Sequence, residues 1–142
     1  MNRMLAVPPP VQTAQFAQLP PGWQQFRFSF PTNGETIVTS WRYRWSRLGP
    51  ASAMPRDGIM INVLTYRRSR SRPDYPRRRL PLTLPSVTSD TLEGAPDTPE
   101  YRVFGRTRTI DYEVRVDIRN PHPSRRLLEL AQCAVNTLRL PA

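Results

Sequence analysis

Seventeen of the 142 residues are proline, about 12% against an ordinary share of roughly 5%. Proline fixes φ and removes a backbone N–H, so it breaks helix interiors and is confined in sheets to edges and strand starts. A helical bundle is therefore excluded. The regular structure must lie in short strands between proline-marked turns, with room for a helix only where prolines are sparse. A chain of this length buries one core and forms one domain, which also excludes a multidomain enzyme.

The strands show as period-two alternation. Gln25–Phe30 puts Phe26, Phe28 and Phe30 on one face and Arg27 and Ser29 on the other. Asn33-Gly34 then carries a turn signal. Thr36–Trp45 alternates again, with Ile37, Thr39, Trp41, Tyr43 and Trp45 sharing a face, and the two runs read as a hairpin. That register predicts a buried aromatic stripe at Trp41, Tyr43 and Trp45, with Arg42 and Arg44 pointing the other way. Leu48–Asp57 is a loop. Ile59–Tyr66 is the most apolar β-branched run and belongs at the sheet centre. Leu80–Leu84 reads as a short edge strand, since Pro81 cannot donate to a ladder, and residues 85–99 read as a long loop. Glu100–Arg106 and Thr109–Arg119 form the clearest hairpin, closed through Gly105-Arg106-Thr107-Arg108. Its second strand alternates Ile110, Tyr112, Val114, Val116 and Ile118 with Asp111, Glu113, Arg115, Asp117 and Arg119, one face for the core and one for water.

Near the end of the chain the period changes. Ser124 stands at an N-cap position. Leu127, Leu128, Ala131, Ala134, Val135 and Leu138 then recur at helical spacing. The expected fold is α+β: an antiparallel sheet of five or six strands with one C-terminal amphipathic helix on one face. Val114, Val116, Leu127, Ala131 and Val135 are expected in one core.

Residues 1–22 hold two proline clusters and several glutamines and are expected to be a disordered leader or an extended arm. The domain would then span 23–142. Met4–Val7 is too short for the apolar region of a secretory signal, and Pro8–Pro10 interrupts it, so the cytoplasm is the default compartment. No run of 18 apolar residues suggests a membrane span.

The formal net charge is +10, from 21 basic and 11 acidic residues, and every basic residue is arginine. A GC-rich coding sequence yields that bias without selection for function. The field nonetheless attracts nucleic acid, anionic lipid or acidic protein, and guanidinium suits bidentate capture of phosphate and carboxylate. The charge is concentrated. Arg67, Arg68, Arg70, Arg72, Arg77, Arg78 and Arg79 face only Asp74 within residues 67–79. This exposed, proline-broken segment is the candidate anion or nucleic-acid contact.

Other chemistry is sparse. One cysteine and one histidine exclude a disulfide framework within the chain and a usual zinc set, so no metal or cofactor is expected. His122, between Pro121 and Pro123, reads as an exposed turn residue rather than a general base. Cys133 reads as a small buried residue in the helix. Asp111, Glu113 and Asp117 share a strand face at a spacing that could pair carboxylates, but Arg115 and Arg119 interleave with them, as on a solvated, charge-balanced surface. The nucleophile, dinucleotide, zincin and P-loop motifs are missing.

Leu19-Pro20-Pro21-Gly22-Trp23, Ala53-Met54-Pro55-Arg56-Asp57-Gly58-Ile59, Pro99-Glu100-Tyr101-Arg102-Val103 and the closing strand, turn and helix with Ala131-Gln132 and Leu138-Arg139-Leu140-Pro141 together resemble a family of uncharacterised, GC-rich actinobacterial proteins that are usually exported or lipid-anchored. The family implies export and no known activity. The closing strand and helix are also similar, at the level of fold alone, to Mog1/PsbP-like α/β sandwiches, which mostly bind partners. The function expected is a non-enzymatic binding or accessory domain contacting a protein or acidic partner. Sequence-nonspecific nucleic-acid binding through the Arg-rich segment is the alternative, and a small hydrolase is a third class.

Overall fold

The structure is a computed structural model that describes residues 9–70, 75–85 and 97–142. In chain order the elements are β1 (Gln15–Phe16), β2 (Gln24–Ser29), β3 (Asn33–Thr39), a 3-10 turn at Ala51–Ala53, β4 (Ile59–Arg67), β5 (Glu100–Arg106), β6 (Ile110–Ile118), α1 (Arg125–Val135) and β7 (Leu138–Arg139). Five strands form an antiparallel sheet in the order β2-β3-β4-β6-β5, and β1 pairs with β7 in a separate two-stranded sheet. The α+β class, the central place of Ile59–Arg67 and the closing hairpin agree with the sequence reading.

Alternation decides what each sheet face carries. Thr36, Val63, Val114 and Val103 stand in one cross-strand row, and Val38, Ile61, Val116 and Tyr101 in the next. Val38, Ile61, Val63, Val114 and Val116 are wholly buried, and they pack with Ala131, Ala134 and Val135 of α1. Each such aliphatic side chain contributes roughly 1.5–3 kcal/mol on burial. Ala131 offers only a methyl group, so the helix lies close to the sheet. Leu127 packs against the same core while only partly buried. α1 begins where Ser124 Oγ accepts the Leu127 N–H at 3.2 Å, which satisfies one of the free donors of the first turn.

Of the two readings of residues 1–22, the extended arm is the one that residues 9–22 take. Val11, Ala14 and Phe16 are buried. Thr36 Oγ1 donates to the Ala14 carbonyl and Thr65 Oγ1 to the Gln12 carbonyl, both at 2.7 Å. An arm with so few apolar residues is ordered because buried threonine hydroxyls and the β7 edge satisfy its backbone. Residues 1–8 lie outside the described residues.

Three further expectations give way. The two-residue turn between β2 and β3 is Pro31-Thr32, closed by Phe30 N–H on the Asn33 carbonyl at 2.8 Å. Gly34 lies inside β3, where a Cβ would stand 2.7 Å from the Gln12 carbonyl oxygen and closer still to Thr65 Oγ1, so it marks a close approach of the arm rather than a turn. β3 stops at Thr39 rather than Trp45. Leu80–Leu84 pairs with no strand among the described residues. Gln132 holds it instead, its Nε2 donating to the Leu82 carbonyl at 2.7 Å and its Oε1 accepting the Leu84 N–H at 2.9 Å.

Candidate binding surface

The sheet face turned away from α1 is not a plain solvated surface. Asp111, Glu113 and Asp117 of β6 and Glu100 of β5 are all at most 5% exposed, which corrects the reading of this face as water-facing. Cross-strand pairing sets Glu100 against Asp117 and Arg102 against Arg115. Arg102 Nη2 meets Glu100 Oε1 at 2.6 Å, and Arg115 Nε meets Glu113 Oε1 at 2.5 Å. The arginine side chains stay partly exposed while the carboxylates they bond are buried. The bond to Glu113 raises the Arg115 pKa. Asp117 differs, with one carboxyl oxygen buried and unbonded. Burial, with Glu100 as hydrogen-bond partner and repelling charge, pushes its pKa up to about 9. Burial and the neighbouring carboxylate thus both favour its neutral form. The clefts described below are not lined by this pair, and no group of three or more metal-ligating side chains is found among the described residues.

One end of the sheet gathers the arginines. β4 leaves the sheet beside the β5–β6 turn, since Arg67 pairs with Ile110, and residues 75–79 return along β5, where Arg106 N–H donates to the Pro76 carbonyl at 2.9 Å. Arg68, Arg70 and Arg106 line a shallow recess of ≈ 580 Å³. Arg77, Arg78, Arg106 and Arg108 line an adjoining one of ≈ 390 Å³. Arg106 joins the two recesses, and its Nε is buried without a partner. Three chain segments thus contribute to one basic surface.

The candidate residues differ within it. Arg67 is a staple: its guanidinium donates to the Pro31 carbonyl at 2.5 Å and to the Pro9 carbonyl, tying the arm to the β2–β3 turn. Arg68 donates to the Arg108 carbonyl at 3.3 Å, and Arg78 Nε to the Phe104 carbonyl at 2.5 Å. Arg70, Arg77 and Arg79 are exposed. Arg72 lies outside the described residues. Sequence reasoning missed Arg106 and Arg108, although pairing Ile59–Tyr66 with the strand after the 105–108 turn would have brought that turn to the Arg-rich segment.

A second cleft, ≈ 500 Å³ in volume, opens on the same face between β2, β3 and the loop after β3. Phe28, Phe30 and Trp45 wall it, and Glu35, Met60 and Asn62 lie within it. Trp45 folds back so that its ring sits 4.9 Å from Phe28 and 5.4 Å from Phe26. The predicted buried stripe therefore holds for Tyr43, 6% exposed, and not for Trp45, 46% exposed, because the strand ends before either. His122 is exposed at its turn, as expected. Cys133 is exposed rather than buried, since it sits on the water side of α1.

No helix among the described residues is long and apolar enough to cross a membrane. Comparison of the chain with protein-family models, with curated proteins and with solved structures finds no match.

Proposed function

We propose that this protein is a binding domain without catalytic chemistry, whose arginine-crowded sheet end takes an acidic segment of a partner protein. The observation that carries this reading is the convergence of Arg68, Arg70, Arg77, Arg78, Arg106 and Arg108 on adjoining recesses. Like charges gathered this way repel one another, at a cost to the fold that an acidic ligand relieves. Guanidinium forks also match carboxylate geometry in pairs. The one imidazole sits on an exposed turn, and the Glu100–Asp117 carboxyl pair lines none of the clefts described above.

A second reading, sequence-nonspecific nucleic-acid binding, draws on the exposed rings of Trp45 and Phe30. Phe30 adjoins the β2–β3 turn that Arg67 holds. Rings for base stacking beside cations for phosphate are the equipment of single-strand binders.

The test is anisotropy titration of a labelled oligoglutamate peptide and a labelled random single strand across a salt series. Arg106→Ala/Arg108→Ala is compared with Arg77→Ala/Arg78→Ala. Both double variants should weaken binding, since all four arginines line the recess of ≈ 390 Å³. Binding only of the nucleic acid selects the second reading. Binding of neither at low salt, or full affinity in the Arg106/Arg108 variant, refutes the proposed surface.

A further inference from the structure

The cleft walled by Phe28, Phe30 and Trp45 carries chemistry opposite in sign to the arginine surface. Its one charged lining side chain is Glu35, placed directly across the β2–β3 ladder from Phe28. Glu35 makes no ion pair among the described residues; its one bond is accepted from Asn62 Nδ2 at 3.1 Å. In a chain with ten more positive than negative charges, a carboxylate left without a guanidinium stands out, because Glu100 and Glu113 on the same sheet face are each bonded by arginine. No arginine lines the cleft.

Asn62 supplies the second observation. With Nδ2 committed to Glu35, its Oδ1 is buried without a partner. The reversed amide would set its oxygen against the carboxylate, so this orientation follows from the hydrogen bonding itself. A carbonyl oxygen buried without a donor is a cost to the fold, which a ligand N–H would recover. The cleft thus offers two oxygen acceptors, three aromatic rings and the thioether of Met60, with no competing cation. Aromatic faces attract organic cations, and a carboxylate adds direct charge pairing. Its volume lies within the range of small-molecule sites.

We propose that this cleft binds a small organic ammonium ion: a protonated primary amine on an apolar body. The ammonium N–H groups bond Glu35 and Asn62 Oδ1, and the body lies among Phe28, Phe30 and Trp45. A quaternary ammonium keeps the charge but has no N–H for Asn62. A neutral alcohol keeps the shape and a donor but has no charge for Glu35.

Calorimetric titration of the full chain with 2-phenylethylammonium, benzyltrimethylammonium and 2-phenylethanol tests this directly. The expected order is primary ammonium first, by at least about tenfold over the alcohol, with the quaternary ion between them. Glu35→Gln keeps an acceptor for Asn62 Nδ2 and the side-chain shape, so the fold should persist, as a thermal melt will report. In that variant the preference for amine over alcohol should collapse to within about twofold. Equal affinity of the wild-type protein for amine and alcohol overturns the proposal, as does no detectable amine binding at millimolar concentration. Retention of the preference in Glu35→Gln also overturns it. Should Glu35→Gln fail to fold, Trp45→Ala at the exposed wall takes its place: amine affinity must fall at least about fivefold, and an unchanged affinity refutes the site.

Discussion

Asp117→Asn isolates the one strongly displaced acid in the fold. Asp117 is 1% exposed, and its pKa stands at about 9 in the folded state, against roughly 3.9 in an unfolded chain. Between these values the folded protein holds a proton that the unfolded chain has released. Stability from this group is therefore full below about pH 4 and declines as pH rises toward 9. The decline is about 1.4 kcal/mol per pH unit, so about 4 kcal/mol between pH 5 and pH 8. Histidine is the side-chain type whose ordinary pKa falls in that window, and the chain has one. In Asp117→Asn the amide is neutral throughout and can still donate to Glu100. The variant should match the wild type within about 1–2 kcal/mol at pH 5 and exceed it progressively toward pH 8. Urea unfolding at four pH values, with His122→Ala as a control for the exposed imidazole, measures both slopes. Parallel wild-type and Asp117→Asn profiles, or wild-type stability that climbs from pH 5 to pH 8, would refute the assignment of a buried neutral acid.

Gly34→Ala should cost about 1–3 kcal/mol by crowding, because the new methyl meets the Gln12 carbonyl of the arm. Limited proteolysis should then cut within residues 9–14, where the wild type resists. Ser124→Ala should lower stability by about 1 kcal/mol through loss of the N-cap, read from denaturant midpoints. Arg67→Ala should lower the melting temperature while leaving oligoglutamate affinity nearly unchanged, since its guanidinium is engaged by the Pro9 and Pro31 carbonyls. If single-stranded nucleic acid binds, log affinity should fall against log salt by about 0.7 per phosphate engaged. Arg106→Ala/Arg108→Ala should then flatten that slope by up to about 1.4.

Much of the architecture is legible from local pattern. Strict alternation through Ile110–Ile118 and the helical recurrence of Leu127, Ala131 and Val135 record which side of each element meets the core, and burial selects residue types position by position. The apolar β-branched run Ile59–Tyr66 marks the sheet centre in the same local way. Proline and cap chemistry mark where elements begin. These features act over a few residues, so one chain suffices to read them.

Tertiary structure decided the rest, because it depends on what lies across a strand or over a face. Asp111, Glu113 and Asp117 read as water-facing from alternation, yet all three are buried, Glu113 bonded by Arg102 and Arg115 and Asp111 by the Ser69 N–H. Gly34 reads as a turn until the arm is seen to need its missing side chain. Trp45 has the right parity for a strand that ends six residues earlier. The binding surface shows the division most plainly. Seven arginines in thirteen residues announce a basic segment, but only the β4–β6 register brings Arg106 and Arg108 beside it. The cleft around Glu35 and Asn62 has no sequence signal at all, since its residues come from three strands and a loop and meet only when the sheet forms.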